Sequence, residues 1–244
     1  MDVQVGTAAP YSLDEAKQAI AGYCFGQSPV EWGASPSAVV GQWPAPTTRY
    51  LYAYRCYDCV PQSIGPGLDL SDVLAAEGLN ARMGAGPMLH VQALLPELSS
   101  VVASIPSGLR FWDLERSEVS SPPTHGDPAY GLWRAWFLLR LVPGIHAART
   151  HKILHRVRPE VFPLLDNLTM GQLRAMESWS HIHDDLTQQV QAFTHLEDWF
   201  DGLLRPGDVP LLRLRLHDIL LWLDAAGGRD QASSLGDEVL AERG

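Results

Sequence analysis

A run in the middle of the chain brings several basic side chains, histidines and an aspartate together. Residues 141–167 read LVPGIHAARTHKILHRVRPEVFPLLDN, with four lysine or arginine residues, three histidines and Asp166 near the end. Arginine and lysine hold phosphate and carboxylate groups through charge-assisted hydrogen bonds. The run therefore has the side chains of an anion-binding site.

Acidic side chains are absent from a wider window around this run. No Asp or Glu lies between Pro128 and Pro159, whereas six of the 18 basic residues do. The chain as a whole has a net charge of −10, which repels polyanions at long range. The pattern predicts a directed basic patch on an acidic protein. The six basic residues are Arg134, Arg140, Arg149, Lys152, Arg156 and Arg158.

Turn and helix signals predict a helical hairpin that positions these residues. Pro143 and Gly144 end the apolar helix YGLWRAWFLLRLV, and Gly144 suits the left-handed conformation of a tight turn. A second helix is predicted from about Ala147 to Arg158, because Pro159 stops it. Free amide groups at its start, together with the helix dipole, favour anions.

The second helix pairs polar residues one turn apart and has an apolar face. His151 and His155 stack at this spacing, as do Lys152 and Arg156, and the apolar face is predicted to point inward. The apolar face consists of Ile153, Leu154 and Val157. Two interpretations stay open, a phosphate site or an ordinary hairpin with a solvated basic face. The predicted phosphate- or nucleic-acid-binding residues are Gly144, His146, Arg149, His151, Lys152, His155, Arg156 and Arg158.

Two stretches of the chain resemble the signature stretches of an uncharacterised actinobacterial domain family. They are LVPGIHAARTHKILHRVRPEVFPLLDN and LLRLRLHDILLWLDA, and GLRFWDL also fits that family. The likeness covers about residues 66–226. The resemblance does not indicate a biochemical activity, because the family is uncharacterised.

More remotely, the turn, the helix and the Asp that follows resemble the helix-hairpin-helix DNA glycosylase superfamily. Those proteins hold the DNA backbone through hairpin amides and flip a base out of the duplex. The resemblance implies that Asp166 stabilises charge at the sugar and that Lys152 is the candidate amine nucleophile. Three differences keep other interpretations open. The turn reads GIH where the superfamily reads G-x-G, and Lys152 lies a turn further into its helix. Asp166 also stands three residues after Pro163 rather than two. Asp166 as a plain helix cap is one alternative.

Tyr50, Tyr52 and Tyr54 alternate within RYLYAYRCYDCV. The alternation predicts a strand of period two with the three tyrosines on one face. Because aromatic faces stack on bases, these tyrosines are the predicted base-stacking residues. Core packing is the alternative.

Two further clusters contain residue types that can bind metal ions. ESWSHIHDDL holds two histidines and two aspartates, but on a helix His181 and His183 point in roughly opposite directions. Cys56 and Cys59 form a C-x-x-C without the second ligand pair of a zinc ribbon. No metal site and no cofactor are predicted. Phosphate-loop, dinucleotide, serine-hydrolase and zinc-protease motifs are also absent from the sequence.

These signals predict a mainly α fold, a multi-helix domain containing a helix-hairpin-helix-like element, with a small strand-bearing N-terminal portion. The predicted division is 1–65 for the N-terminal helix and short extended segments, and 66–244 for the helical part. Ser12 and Glu15 have the spacing of a capping box, which predicts a helix start.

Helix breaks are predicted near Pro96 and, within a long helical stretch at 171–204, near residues 181–185. Two further helices are predicted, at 209–226 and from about 232.

Three cysteines fit a reducing compartment, and the sequence has neither a secretory signal nor a membrane-length apolar run, so a cytoplasmic location is expected. The sequence does not address the oligomeric state.

Three functions stay open. The first is a nucleic-acid-directed protein that excises a base or binds a lesion, with DNA as partner. The second is a small-molecule enzyme or ligand-binding protein on the same scaffold, with a phosphate-bearing small molecule as one candidate partner. The third is an interaction module without chemistry.

Overall fold

The computed structural model describes residues 1–29, 48–62, 67–122, 124–173 and 177–243. This part of the chain is mainly helical, as predicted, with two short antiparallel strand pairs near the N-terminus. The strands are β1 (Asp2–Val3), β2 (Tyr11–Ser12), β3 (Gln27–Pro29) and β4 (Thr48–Tyr50). The helices are α1 (Leu13–Phe25), α2 (Leu70–Ala75), α3 (Ala85–Ser104), α4 (Arg116–Ser120), α5 (Tyr130–Arg140), α6 (Ala147–Val157), α7 (Asn167–Gln172), α8 (Ser178–Gln188), α9 (Val190–Leu203), α10 (Arg213–Ala225) and α11 (Arg229–Arg243).

Helix α1 begins where the sequence predicts. The Ser12 hydroxyl group accepts a hydrogen bond from the Glu15 amide at 3.2 Å, and the Glu15 carboxylate accepts one from the Ser12 amide at 3.2 Å. This reciprocal pair satisfies two amide groups that the first turn of a helix leaves free. The predicted capping box is confirmed.

Helices α1 and α11 pack at backbone distance because each has a glycine at the crossing. A Cβ atom on Gly22 would lie 1.8 Å from the Ala232 carbonyl oxygen, and one on Gly236 would lie 1.9 Å from that of Gln18. The N-terminal and C-terminal helices are therefore in direct contact. The division of the chain at residue 65 stays a prediction.

Helix α10 is the central helix and is buried along most of its length. Residues 213–221 are all buried, and the helix contacts α1, α7, α8, α9 and α11. Its buried side chains include Arg215, His217 and Asp218 as well as five leucines and Ile219. Because charged groups are costly to bury, each requires partners from the surrounding helices.

The predicted hairpin of α5 and α6 is present as two packed helices joined by a tight turn. Gly144 has a φ of +81°, and a Cβ atom there would lie 2.7 Å from Pro87 Cγ. Helix α6 runs from Ala147 to Val157, as the sequence predicts. The turn conformation therefore requires glycine, for the reason inferred from the sequence.

The predicted tyrosine strand is wrong beyond Tyr50. The chain bends after β4 and makes a single 3-10 turn at Ala53–Arg55, followed by further turns. The amides of Cys56 and Tyr57 donate to the Ala53 carbonyl oxygen at 3.0 and 2.8 Å, so local turn bonds replace the strand ladder. The tyrosines consequently do not share one face.

Two predicted helix breaks are also wrong: the break near Pro96 is absent, and the break near residues 181–185 lies at Gln189 instead. Helix α3 continues through Pro96. Pro96 has no N–H group to donate to the carbonyl group of Gln92, but both residues are exposed, so water can replace the missing donor. Helices α8 and α9 separate at Gln189, not at 181–185. The Gln189 side chain is fixed there by Gln4, whose amide donates to Oε1 at 2.6 Å and whose carbonyl group accepts from Nε2 at 2.8 Å.

The glycine crossing generates a stability prediction. Gly22→Ala and Gly236→Ala are each expected to lower the free energy of unfolding by about 2–3 kcal/mol, because the added methyl group forces two backbones apart. Urea denaturation measures the change. Gly202→Ala is the control: a Cβ atom on Gly202 meets nothing within 4 Å in α9, so this variant should be neutral or slightly more stable. Equal stability of all three variants would contradict the crossing.

Candidate functional site

The six cations of the acid-free window all interact with acceptors within the protein. Arg134 pairs with Glu97 at the surface at 3.4 Å, and Arg140 donates to the Ile145 carbonyl oxygen at 2.9 Å. Arg149 donates to the carbonyl oxygens of Ala81, at 2.7 Å, Arg82, at 2.6 Å, and Gly144. Arg158 donates to Glu160, Ile105 and Pro106. Arg140, Arg149 and Arg158 thus hold turns and loop segments in place, and Arg134 joins α5 to α3.

The two α6 cations that share a face are buried, so the expectation of a solvated basic face is wrong. Lys152 is 8% exposed and Arg156 is 4% exposed. Arg156 donates to the carbonyl oxygens of Tyr57 and Val60 and lies 3.9 Å from an Asp72 carboxylate oxygen. Lys152 Nζ donates to the Leu79 carbonyl oxygen at 2.6 Å.

The histidines of the run divide into two buried residues and one exposed residue. Nδ1 of His151 lies 2.9 Å from the Pro163 carbonyl oxygen, and Nδ1 of His155 lies 2.7 Å from that of Phe162. Burial lowers the pKa of His151 to about 4 and that of His155 to about 3, so both are neutral at pH 7 and donate from Nδ1. His146 is exposed at the N-cap of α6, where its side chain makes no capping bond.

A cavity of 480 Å³ contains the two residues that the sequence singles out for catalysis. Both Lys152, from α6, and Asp166, from the start of α7, line it. Arg215 and Asp218 from α10 contribute further charged groups. The aromatic part of the wall consists of Tyr23, Tyr50, Tyr52 and Trp222.

Asp166 caps helix α7 and borders the cavity at the same time. Its Oδ1 accepts hydrogen bonds from the Leu168 and Thr169 amides at 2.9 and 3.0 Å, and the Thr169 hydroxyl group accepts from the Asp166 amide. No hydrogen bond within the described part of the chain uses Oδ2. The capping interpretation therefore holds, and it leaves one carboxylate oxygen free for other chemistry.

Arg215 is a buried cation with two carboxylate partners. Its guanidinium group binds both oxygens of Asp58, at 2.9 and 2.8 Å, the hydroxyl oxygen of Tyr23, at 2.9 Å, and Oδ2 of Asp218. The group also lies over the rings of Tyr23 and Tyr57, at 5.3 and 5.6 Å from their centroids. It joins α1, α10 and the turns after β4 into one wall of the cavity.

Burial shifts the pKa values of two ionisable groups of the cavity in opposite directions, and both shifts favour the uncharged form. Burial raises the pKa of Asp218 to about 7; the charges of Asp166 and Asp58 also raise it, and Arg215 opposes them. Burial lowers the pKa of the Lys152 amine, and the charges of Asp166 and Asp218 oppose that shift. Groups with perturbed pKa values that line one cavity are candidates for a functional site.

The three predicted stacking tyrosines lie in different environments. Tyr50 is 40% exposed and lines the cavity, and Tyr52 lines it while stacking on Tyr23 at a centroid distance of 5.0 Å. Tyr54 is fully buried against Phe25, and its hydroxyl group donates to the Val209 carbonyl oxygen at 2.7 Å. Tyr54 is not among the residues that line the cavity.

The histidines and aspartates of ESWSHIHDDL that the structure pairs have partners outside the cavity. Nε2 of His183 lies 2.8 Å from the Leu114 carbonyl oxygen, and Asp184 binds Arg116 at the surface. Asp185 accepts from the Gly6 amide at 2.7 Å and lies 2.9 Å from Nε2 of His217. No group of three or more metal-ligating side chains occurs in the part of the chain that the structure describes.

The cysteines are free thiols. Cys56 lines the cavity and is exposed, and burial of its sulfur raises its pKa. A raised pKa disfavours the thiolate, so Cys56 is not an activated nucleophile.

A second cavity, of 470 Å³, lies on the other side of Arg215. Its wall includes Asp58, His155, Arg156 and Arg215, together with apolar residues of 209–212. The charged groups of Asp58, Arg156 and Arg215 are bonded to one another or to backbone carbonyl groups. The first cavity is the candidate site, because Lys152, Asp166 and Asp218 supply it with an amine and two carboxyl groups.

Comparison with known proteins identifies the family. A family model that matches residues 38–225 describes a family of unknown function, DUF6308. The chain belongs to this family. No curated protein and no solved structure matches it. The predicted membership of an uncharacterised domain family is confirmed; its actinobacterial range and the helix-hairpin-helix resemblance stay predictions.

The DUF6308 match contains the polar groups of the cavity and ends with α10. Lys152, Asp166, Arg215 and Asp218 all lie inside it, whereas Tyr23 on α1 lies outside. Among the described helices, none is long and apolar enough to cross a membrane.

The sequence predictions missed Arg215, Asp218, Asp58 and Tyr23. A signal for the first two was present, since LLRLRLHDILLWLDA places Arg, His and Asp inside an otherwise apolar helix. Such residues are almost never fully buried without partners, so their position in a core helix indicates a polar network. Asp58 and Tyr23 have no comparable local signal.

Removal of Arg215 tests the central pairing. Arg215→Met is expected to lower the free energy of unfolding by about 3–5 kcal/mol, because two buried carboxyl groups lose their cation. Urea denaturation at pH 7 gives the value. Arg116→Ala removes an equally well-formed pair with Asp184, but at the surface, and should cost less than about 1 kcal/mol. A similar cost for both would show that burial does not govern the interaction.

The buried histidines generate a prediction about acid stability. The pKa of His155 is below its ordinary value in the fold, so below about pH 6.5 the unfolded chain takes up a proton that the folded chain does not. Stability therefore falls as the pH falls from 6.5 towards 3. Between pH 6.5 and 4.5 this residue contributes a loss of about 2 kcal/mol.

His155→Gln removes that contribution. Urea denaturation at the two pH values should give a smaller difference for this variant than for the wild-type protein. His195→Gln, on the exposed face of α9, should keep the wild-type difference. An unchanged difference in His155→Gln would exclude a neutral buried His155.

Proposed function

We propose that the protein binds and transforms a small molecule in the cavity lined by Lys152, Asp166 and Asp218. One observation carries the proposal: an amine and two carboxyl groups from α6, α7 and α10 line the same cavity, and burial shifts two of the three groups. Concave sites with few convergent polar groups and perturbed pKa values are typical of small-molecule sites.

The size and walls of the cavity support this proposal. A volume of 480 Å³ lies within the range of about 300–1,000 Å³ that small-molecule pockets occupy. Tyr52 and Tyr23 form a stacked pair with Trp222 at their edges, at 6.0 and 6.2 Å between centroids. A flat ligand with an oxygen or nitrogen group at one end suits an aromatic wall beside carboxyl groups.

The placement of the basic residues favours a small ligand over duplex DNA. Arg149, Arg156 and Arg158 direct their guanidinium groups at backbone carbonyl groups of the protein. Phosphate contacts supply most non-specific affinity for DNA, and the net charge of −10 opposes it.

A second function, base excision or lesion binding of the helix-hairpin-helix type, has one observation in its favour. Lys152 and Asp166, the residues that the glycosylase resemblance singles out, line the same cavity as Tyr50 and Tyr52, two of the predicted base-stacking residues. In that case the tight turn at Gly144 would lie beside the DNA backbone.

A blocked cavity separates the two functions. Leu168 is 51% exposed and lines the cavity, so Leu168→Trp is expected to narrow the cavity without disturbing the core. Binding of small aromatic probes such as 2-naphthol and indole, followed by ligand-observed NMR, should occur in the wild-type protein and weaken about tenfold or more in this variant. Leu89→Trp, exposed on α3, is the matched control and should bind normally.

The same proteins are then titrated with a labelled duplex and with a duplex containing an abasic site, at about 20 mM salt. No binding is expected. Salt-sensitive DNA binding that Lys152→Ala weakens would favour the second function, and probe binding unaffected by Leu168→Trp would contradict the first.

A further inference from the structure

The carboxyl group of Asp218 has one oxygen committed and one without a partner. Oδ2 accepts from Arg215, whereas Oδ1 is buried and has no hydrogen-bond partner in the described part of the chain. The residue is 3% exposed and still lines the cavity. Buried polar atoms are nearly always hydrogen-bonded, so an orphaned oxygen at a cavity wall indicates a group that a ligand supplies.

Asp166 faces the same cavity from another element and in a different environment. It is half-buried, its Oδ1 caps α7, and its Oδ2 is unused by the described residues. The charge of Asp166 raises the pKa of Asp218, and both carboxyl groups act to raise the pKa of Lys152 against the effect of burial. The two carboxyl groups and the amine are therefore close enough to act on one small molecule.

Burial favours the protonated form of Asp218, whereas Asp166 is half-buried at the cavity wall. Burial raises the pKa of Asp218 to about 7, so a large fraction of this group keeps its proton at neutral pH and can donate it. Asp166 keeps an accessible oxygen that can accept a proton. Two carboxyl groups whose environments differ in this way are suited to act as an acid and a base.

We infer that the cavity enolises a small, flat carbonyl compound, with Asp166 removing a proton from the carbon next to the carbonyl group and Asp218 donating to the carbonyl oxygen. This inference rests on the proposed function. The aromatic wall fits a conjugated enol, which is planar. Arg215, bound to Oδ2 of Asp218, stabilises the negative charge that this carboxyl group gains as its proton moves to the substrate.

The step is balanced without a further reactant. The bond between hydrogen and the α-carbon breaks, and its proton goes to Asp166. The electron pair forms a carbon–carbon double bond, the carbonyl π pair moves to oxygen, and that oxygen takes a hydrogen bond or the proton from Asp218. Return of a proton to either end of the conjugated system gives the starting ketone or its isomer. The ammonium form of Lys152 adds positive charge near the enolate.

Hydrogen exchange of 2-tetralone in D2O tests the inference, because this ketone has acidic α-hydrogens beside an aromatic ring. The protein should accelerate the loss of the α-proton NMR signals above the buffer rate. Asp166→Asn should lower the acceleration by at least about 100-fold, and Asp218→Asn by about 10- to 100-fold. Asp198→Asn changes an exposed acid outside the cavity and should behave as the wild-type protein does.

The pH profile keeps the test valid even if Asp218→Asn does not fold. In the wild-type protein, exchange should decline above about pH 7 as Asp218 loses its proton. In a folded Asp218→Asn variant that decline should disappear, since the amide cannot ionise. The charged and titratable groups around Asp218 are Arg215, Asp58, Asp166, Lys152, Tyr23 and Tyr57.

Binding of 2-naphthol, a stable mimic of the enol, distinguishes failure of this inference from failure of the proposed function. Binding that Leu168→Trp blocks, without any acceleration of exchange, overturns the enolisation and leaves the proposed function standing. Exchange that is accelerated but insensitive to Asp166→Asn also overturns it. Absence of both 2-naphthol binding and exchange overturns the enolisation, and the remaining aromatic probes then decide the fate of the cavity as a ligand site.

Discussion

The guanidinium group of Arg215 determines how three parts of the chain meet. It lies in the interior, where an unpaired charge is costly, and the fold supplies two carboxyl groups and a tyrosine hydroxyl oxygen around it. One of these partners, Asp58, lies in the turns after β4, and another, Tyr23, lies on α1. The contacts of one buried cation therefore connect the segments that form the cavity wall.

The same principle explains the basic window of the sequence. Four of its five arginines donate to carbonyl groups of irregular segments, such as residues 57–60, 81–82 and 105–106. Carbonyl groups in such segments lack a helix or strand partner, and a guanidinium group with several donors can satisfy two or three at once. The run of cations can lack acids of its own because most of the acceptors are backbone oxygens, which carry no side-chain signature, and the carboxylate partners lie outside the run.

Local signals in the sequence were sufficient for features with local causes. The Ser12 capping box, the left-handed Gly144 and the limits of α6 depend on residues within a few positions of one another. The tyrosine alternation failed because distant partners, Tyr23 for Tyr52 and Phe25 for Tyr54, hold these rings. Lys152 and Asp166 were found from one motif, whereas Asp218 acquires its chemistry from burial, which a single sequence does not display.

The close crossing of α1 and α11 has a consequence for the order of assembly during synthesis. The backbone at Gly22 is covered by Ala232, and α1 also contributes Tyr23 to the cavity. In an emerging chain, the glycine face of α1 therefore stays uncovered until α11 has been translated. The aromatic wall of the cavity is completed only after α10, which carries Trp222, although Tyr23 is translated long before.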